Sequence, residues 1–279
     1  GFGFIFLSLI NSLWQFYAAF TLITLGMSLG TWMVSITAVT NWFVSMRTRA
    51  IALLAAGSAM GGLLLPLVIW LIAATNWRIG LMLIGVGFWA IGLPAAIVMR
   101  SRPEDLGLLP DGENPVPLIN TISKTTTRPD SRVSVIEPDF TVRQALATRT
   151  FWQMSIAMGA GQLVMSANLH QIPALTSFGF TRGTAGLVLL SVSLMSLVGR
   201  LGSGFAGDTL DKRKVIAASF ALQVIGTVIF VYSTTMLDLI GFIIFWGIGF
   251  GASIPVRFTL LADYFGRKSF GSVMGIMMT

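Results

Sequence analysis

Seven stretches of this chain carry no Asp, Glu, Lys or Arg: residues 1–46, 50–77, 79–99, 150–181, 183–199, 215–237 and 239–256. A helix crosses the hydrocarbon core of a bilayer with about 20 apolar residues, whereas a barrel strand needs only about 10, of alternating polarity. The runs are too long and too evenly apolar for barrel strands. Backbone in lipid must satisfy its own hydrogen bonds, so the runs are helices. Only 10% of the residues are charged, too few to coat a soluble domain, where about 25% is usual. The expected fold class is an all-α, polytopic membrane protein.

Charge and rare residues narrow the function. A net charge of +7 would suggest nucleic acid in a soluble protein, but here the basic residues flank apolar spans, so the lipid bilayer is the expected partner and nucleic acid is not. With no cysteine and one histidine, there is neither a disulfide nor a thiolate or histidine metal cluster, and no cofactor is implied. No Gly-x4-Gly-Lys-Ser/Thr phosphate loop occurs, which disfavours an ATP-driven pump. A lone histidine makes no catalytic triad, which disfavours an enzyme.

The expected spans are 1–11, 16–42, 50–73, 79–99, 151–175, 184–207, 214–233, 238–262 and one beginning near 270. Every second connection is basic: Arg47 and Arg49, Arg100 to Arg149, Lys212 to Lys214, Arg267 and Lys268. By the positive-inside rule these connections are cytoplasmic, in a multi-pass protein of the plasma or inner membrane. Segment 100–150 holds six of the ten prolines with seven basic and seven acidic residues. It reads as an irregular cytoplasmic linker. Its end, FTVRQALATRTFW, forms either a short amphipathic surface helix or part of a disordered tether. The linker divides the chain into 1–99, a partial half-bundle of about four helices, and 151–279, a second half-bundle of about five, the last incomplete. Gly1 and Thr279 both fall inside apolar runs, which reads as a piece of a longer protein.

The halves echo each other. GMSLGTWMVSITAVTNWF (26–43) aligns with GIGFGASIPVRFTLLADYF (247–265), and each is followed by two basic residues and a Gly-x3-Gly pair, Gly57 and Gly61 or Gly271 and Gly275. Small residues four apart let helices approach closely. Repeated halves with a solute site between them are a common transporter plan.

GRLGSGFAGDTLDKRK (199–214) adds a motif: Gly204, Asp208 four residues on, then Lys212, Arg213 and Lys214. This resembles the signature loop of the major facilitator superfamily, with Asp211 where a second glycine is usual. RSRPEDLGLLPDG (100–112) is similar to the start of that superfamily's central loop. LHQIPALTSFGFTRGTAG, GRLGSG and ADYFGRKSFGSVMG resemble its monocarboxylate and oxalate:formate antiporter branch. The resemblance implies a two-bundle fold, of which this chain supplies helices three to eleven of twelve. It also implies alternating-access transport of small solutes by a symporter or antiporter.

Several site residues follow from it. Asp208, at a helix end, is placed to cap the N-terminus of a neighbouring helix. The resemblance implies the helix beginning near Ser269, with the basic triplet pairing Asp208 or Asp211, as a latch that closes and opens; the bland reading is a topology signal. Arg200 lies about 12 Å into the membrane from Asp208, at the place where the carboxylate-transporting branch binds its substrate. The aspartate that animal-type carriers have four residues earlier is here Ser196. Arg257 lies about 9 Å from Asp263. Buried guanidiniums face a water-filled cavity, or they snorkel to the headgroups, or, for Arg257, pair with Asp263. Two of them at one level would bind a carboxylate. His170, near an outer helix end, is a gate or substrate contact, or is bonded to a neighbouring helix. Gln15, Tyr17, Trp32 and Ser35 are candidate cavity-lining residues. The expected function is secondary transport of a small mono- or dicarboxylate by a monomer, coupled to a proton or counter-anion. The alternatives are another solute (sugar, drug or nucleoside) or a non-transporting membrane sensor.

Overall fold

A computed structural model describes residues 1–30, 32–112, 140–167, 170–267 and 269–278. The described residues form helices and connecting turns, with no strand among them. The first half contains α1 (Phe2–Ser8), α2 (Leu13–Gly30), α3 (Trp32–Trp42), α4 (Arg47–Leu63), α5 (Leu65–Ala74) and α6 (Trp77–Val98). The second contains α7 (Val142–Leu146), α8 (Arg149–Ala167), α9 (Gln171–Ser177), α10 (Arg182–Thr209), α11 (Lys212–Val231), α12 (Met236–Phe265) and α13 (Phe270–Met278). Five stretches are long and apolar enough to cross a membrane: Leu13–Trp42, Trp77–Val98, Arg182–Thr209, Lys212–Val231 and Met236–Phe265. This is a multi-pass membrane protein.

Two expected spans are divided. The span expected at 50–73 turns at Leu64, one residue before α5, whose first turn holds Pro66. The span expected at 151–175 gives α8 and then α9, with Pro173 in the first turn of α9. Proline lacks an N–H, a donor that a helix's first turn leaves unpaired in any case, and α5 and α9 each carry one there; Pro94 and Pro255 instead lie inside α6 and α12. The end of the linker does form a short helix, α7, closed by a reciprocal capping box between Thr141 and Gln144. The central linker, including KTTTRPDS, lies outside the described residues.

Helix ends in the second half are set by side-chain caps: Thr181 on α10, Asp211 on α11, and Thr235 with Asp238 on α12. Each satisfies backbone N–H groups that a helix leaves unpaired at its start. Close approach in the bundle depends on glycine. A Cβ at Gly251 would run into the carbonyl of Ser196, and one at Gly199 into that of Ile248, so α10 and α12 cross backbone against backbone. Gly226 and Gly249 do the same for α11 and α12.

Apolar packing has two centres. One lies inside the second half, with Leu175, Val188, Val192, Leu239, Phe242 and Trp246 buried together. The other spans the seam between halves: Ile36, Ile51 and Ala55 of the first half pack with Phe258, Leu261, Phe265 and Phe270 of the second. At about 25 cal/mol per Å² of apolar surface removed from neighbouring solvent, such burial would dominate in water. In a membrane the gain comes from close packing instead. The seam core sits toward the end of the bundle that carries the basic loops.

Candidate functional site

The seam is built from α4 and α10. A Cβ at Gly204 would meet Ala52 Cβ at 2.6 Å, and one at Gly207 would meet Thr48 Cγ2 at 2.6 Å. The missing side chains let α10 lie directly on the first turn of α4. This brings Asp208 onto the unpaired N–H groups there. Thr48 N–H donates to Oδ1 at 3.0 Å, and Arg49 N–H to Oδ2 at 3.2 Å. The Arg49 guanidinium stands 3.4 Å from the same carboxylate, whose side chain is only 6% exposed. The positive end of the α4 dipole and a cation thus both face one buried anion. The expected cap on the helix starting near Ser269 is therefore corrected: Asp208 caps α4 of the opposite half. Gly204 and Gly207 face α4, whereas at the start of α13 the Ser269 hydroxyl donates to Phe140 O at 2.5 Å.

The basic triplet also differs from expectation. Lys212 pairs with Asp263 at 2.5 Å, not with Asp208 or Asp211. Asp211 is occupied as the cap of α11, accepting from Arg213 N–H at 2.9 Å. The Arg213 guanidinium lies over the Tyr264 ring, 5.5 Å from its centroid. Asp263 also accepts from Arg47 at 3.0 Å, and Arg47 is almost fully buried. One carboxylate at the end of α12 thus holds the loop of its own half and the first turn of the other. Because Asp263 holds these two cations, pairing of Arg257 with Asp263 does not occur.

The start of the linker joins this arrangement. Asp111 accepts from Val44 and Ser45 N–H at 3.1 and 2.9 Å, and Trp42 Nε1 donates to Arg100 O at 2.8 Å. Arg267, from the second half, donates to Asn41 O at 3.0 Å and stands 3.6 Å from Glu104. Asp111 and Asn41 were not singled out from the sequence. Aspartate beside glycine in a proline-rich stretch reads as a turn, and nothing local names a partner some 66 residues away.

Deeper in the membrane, Arg200 is buried and bridges the same two helices. Its guanidinium donates to Ala55 O and to Ser58 Oγ, the latter at 2.7 Å. Its Nε has no partner. Arg257 goes elsewhere. It opens into a cleft of about 240 Å³ between α8, α11 and α12, lined by Thr150, Gln153 and Arg213 among others. Its Nε too is buried without a partner, and its guanidinium carbon lies 5.0 Å from the Phe258 centroid. Arg200 is not among the residues lining the Arg257 cleft. His170 is exposed at the junction of α8 and α9. Trp32 packs edge-on against Phe258 across the seam, Gln15 accepts from Asn11 and Ser12 N–H, and Tyr17 is exposed.

Among the described residues, the cross-seam hydrogen bonds and ion pairs gather at the basic-loop end. They reach about three turns up α4, to Ser58. The result is a helical membrane protein in which segments 1–99 and 140–278 are joined at one end by Asp208, Asp263 and Arg200.

The chain belongs to the Major Facilitator Superfamily, whose profile it matches over residues 1–279. It is 33% identical over 91 residues to the inner membrane metabolite transport protein YgcS of Escherichia coli K12, covering 33% of this chain and 20% of that protein. It is 32% identical over 93 residues to the 4-hydroxybenzoate transporter PcaK of Pseudomonas aeruginosa, covering 33% and 21%. The matched region is thus about a fifth of the length of either relative.

Proposed function

We propose that this chain is the greater part of a secondary transporter that moves a small organic anion, a mono- or dicarboxylate, by alternating access. The reading rests above all on Arg200, a guanidinium buried at the seam with only neutral partners, Ala55 O and Ser58 Oγ. A buried cation without a counter-ion is costly. A carboxylate reaching the seam would replace two neutral acceptors with a charged, bidentate one. The name of the Pseudomonas relative, a transporter of an aromatic carboxylate, agrees with an anionic solute. His170, exposed near the opposite face, is the residue we assign to first contact with the solute. With the basic loops and the linker in the cytoplasm, the latch closes the inner side.

The test is uptake of labelled carboxylates by proteoliposomes holding the full-length protein. Arg200→Gln should lower uptake at least tenfold, and carboxylates should no longer protect the variant against heat. Arg200→Lys should recover part of the protection, since charge is kept and the fork is lost. If Arg200 were only a tie between helices, Arg200→Gln would keep full protection by the solute, and that outcome overturns the assignment.

A further inference from the structure

The Arg257 cleft lies wholly within the second half. Its walls are α8, α11 and α12, and no first-half residue lines it. A solute carried by alternating access must be reached from both sides between the halves, so this cleft serves something else. Two cations line it, one near the basic loops and one deeper. Arg213 stands in the first turn of α11, and Arg257 lies about 12 Å before the end of α12. Thr150 and Gln153 add polar atoms at the start of α8.

Beyond these residues the cleft becomes apolar. Through Ala157 and Phe220 it continues into a groove of about 380 Å³ between α8 and α11, floored by Ala160 and Gly161 and walled by Val224 and Val228. From Phe220 to Val228 the groove runs about 12 Å along the helix. Small residues on α8 make the channel, and Val224 is 63% exposed along it. A cationic end with an unpartnered buried Nε, joined to a narrow apolar channel parallel to the helices, has the shape and polarity of one amphiphile. Basic pockets between membrane helices on the cytoplasmic side bind anionic headgroups.

We propose that this cleft binds an anionic phospholipid from the leaflet on the basic-loop side. Arg213 and Arg257 take the phosphate, and one acyl chain lies along α8 and α11. Arg257 thereby acquires the counter-ion that the described residues do not give it.

Native mass spectrometry of the full-length protein in detergent, with phosphatidylglycerol or phosphatidylcholine added, tests this. The wild type should retain phosphatidylglycerol at least fivefold better than phosphatidylcholine. Arg257→Gln and Arg213→Gln should each remove that preference. Ala160→Leu, which fills the groove and leaves both charges, should lower retention of phosphatidylglycerol to a similar degree. Equal retention of the two lipids by the wild type would overturn the proposal even if every variant failed to fold. So would undiminished retention in Ala160→Leu, or displacement by glycerol 3-phosphate alone. Efficient disulfide cross-linking from Val224→Cys to a cysteine in another helix of the same protein would show that protein fills the groove, and would overturn it too.

Discussion

Helix α10 touches two partners in different ways. Against α12, in its own half, the contact is backbone on backbone: Gly199 and Gly251 leave no room even for a methyl group. Among the described residues no side-chain hydrogen bond or ion pair joins these two helices. Against α4, in the other half, the approach is again opened by glycines, but the contact is tied by Asp208 and Arg200. A glycine crossing has no alternative partner and one geometry. A capping carboxylate and a guanidinium can instead take water or solute as partners, each bond to a charged group being worth about 1.5–3 kcal/mol over its replacement. The joint inside a half is fixed by backbone contact, and the joint between halves by polar groups that have other possible partners.

Breaking the persistent joint should cost most. Gly251→Leu drives a side chain into the Ser196 carbonyl. Overpacking costs about 1–3 kcal/mol where side chains yield, and more where backbone must move. The full-length variant should give little monodisperse protein on size-exclusion chromatography. A wild-type yield would show that the crossing is not rigid.

Releasing the latch should change conformation more than folding. Asp208→Asn removes the charge from a group accepting two backbone N–H bonds beside Arg49. Bonds to charged groups are worth about 1.5–3 kcal/mol, so the population open on the basic-loop face should rise about tenfold or more. A cysteine at Ala52, buried against Gly204, should then react correspondingly faster with a membrane-impermeant thiol reagent. An unchanged rate would mean that the cap does not hold the halves.

The smallest effect belongs to Asp263→Asn. Its carboxylate is 34% exposed, the buried Arg47 keeps Phe43 O as an acceptor, and the part-exposed Lys212 pair contributes about 0–1 kcal/mol. The same cysteine should react at most a few times faster, and high salt should erase the difference from wild type, since salt screens exposed pairs. A larger change would place the latch at Asp263 rather than at Asp208.

Much of this arrangement was legible beforehand, for a simple reason. Lipid admits few backbone structures, so runs without charge mark the helices. Of the repeated glycines, only Gly247 and Gly251 mark a close crossing, whereas a Cβ at Gly26, Gly30, Gly57, Gly61 or Gly275 would meet nothing within 4 Å. Gly204 and Asp208 announce a close approach followed by a cap. The choice of α4 over the helix starting near Ser269 was not legible. A cap needs any free helix N-terminus, and several lie on the same face. Lys212 likewise has two aspartates beside it in the sequence, Asp208 and Asp211, and the fold supplies Asp263 instead.

The sequence by itself determined that the chain crosses a membrane repeatedly, where it turns, and that two arginines lie where charge is expensive. Those are local properties, fixed by transfer free energy and by backbone hydrogen bonding along one stretch of chain. Only the tertiary structure decided that Asp208 and Arg200 reach across to α4 while Arg257 turns into its own half. Such pairing depends on which helices pack side by side, and residues about 150 positions apart carry no local mark of it.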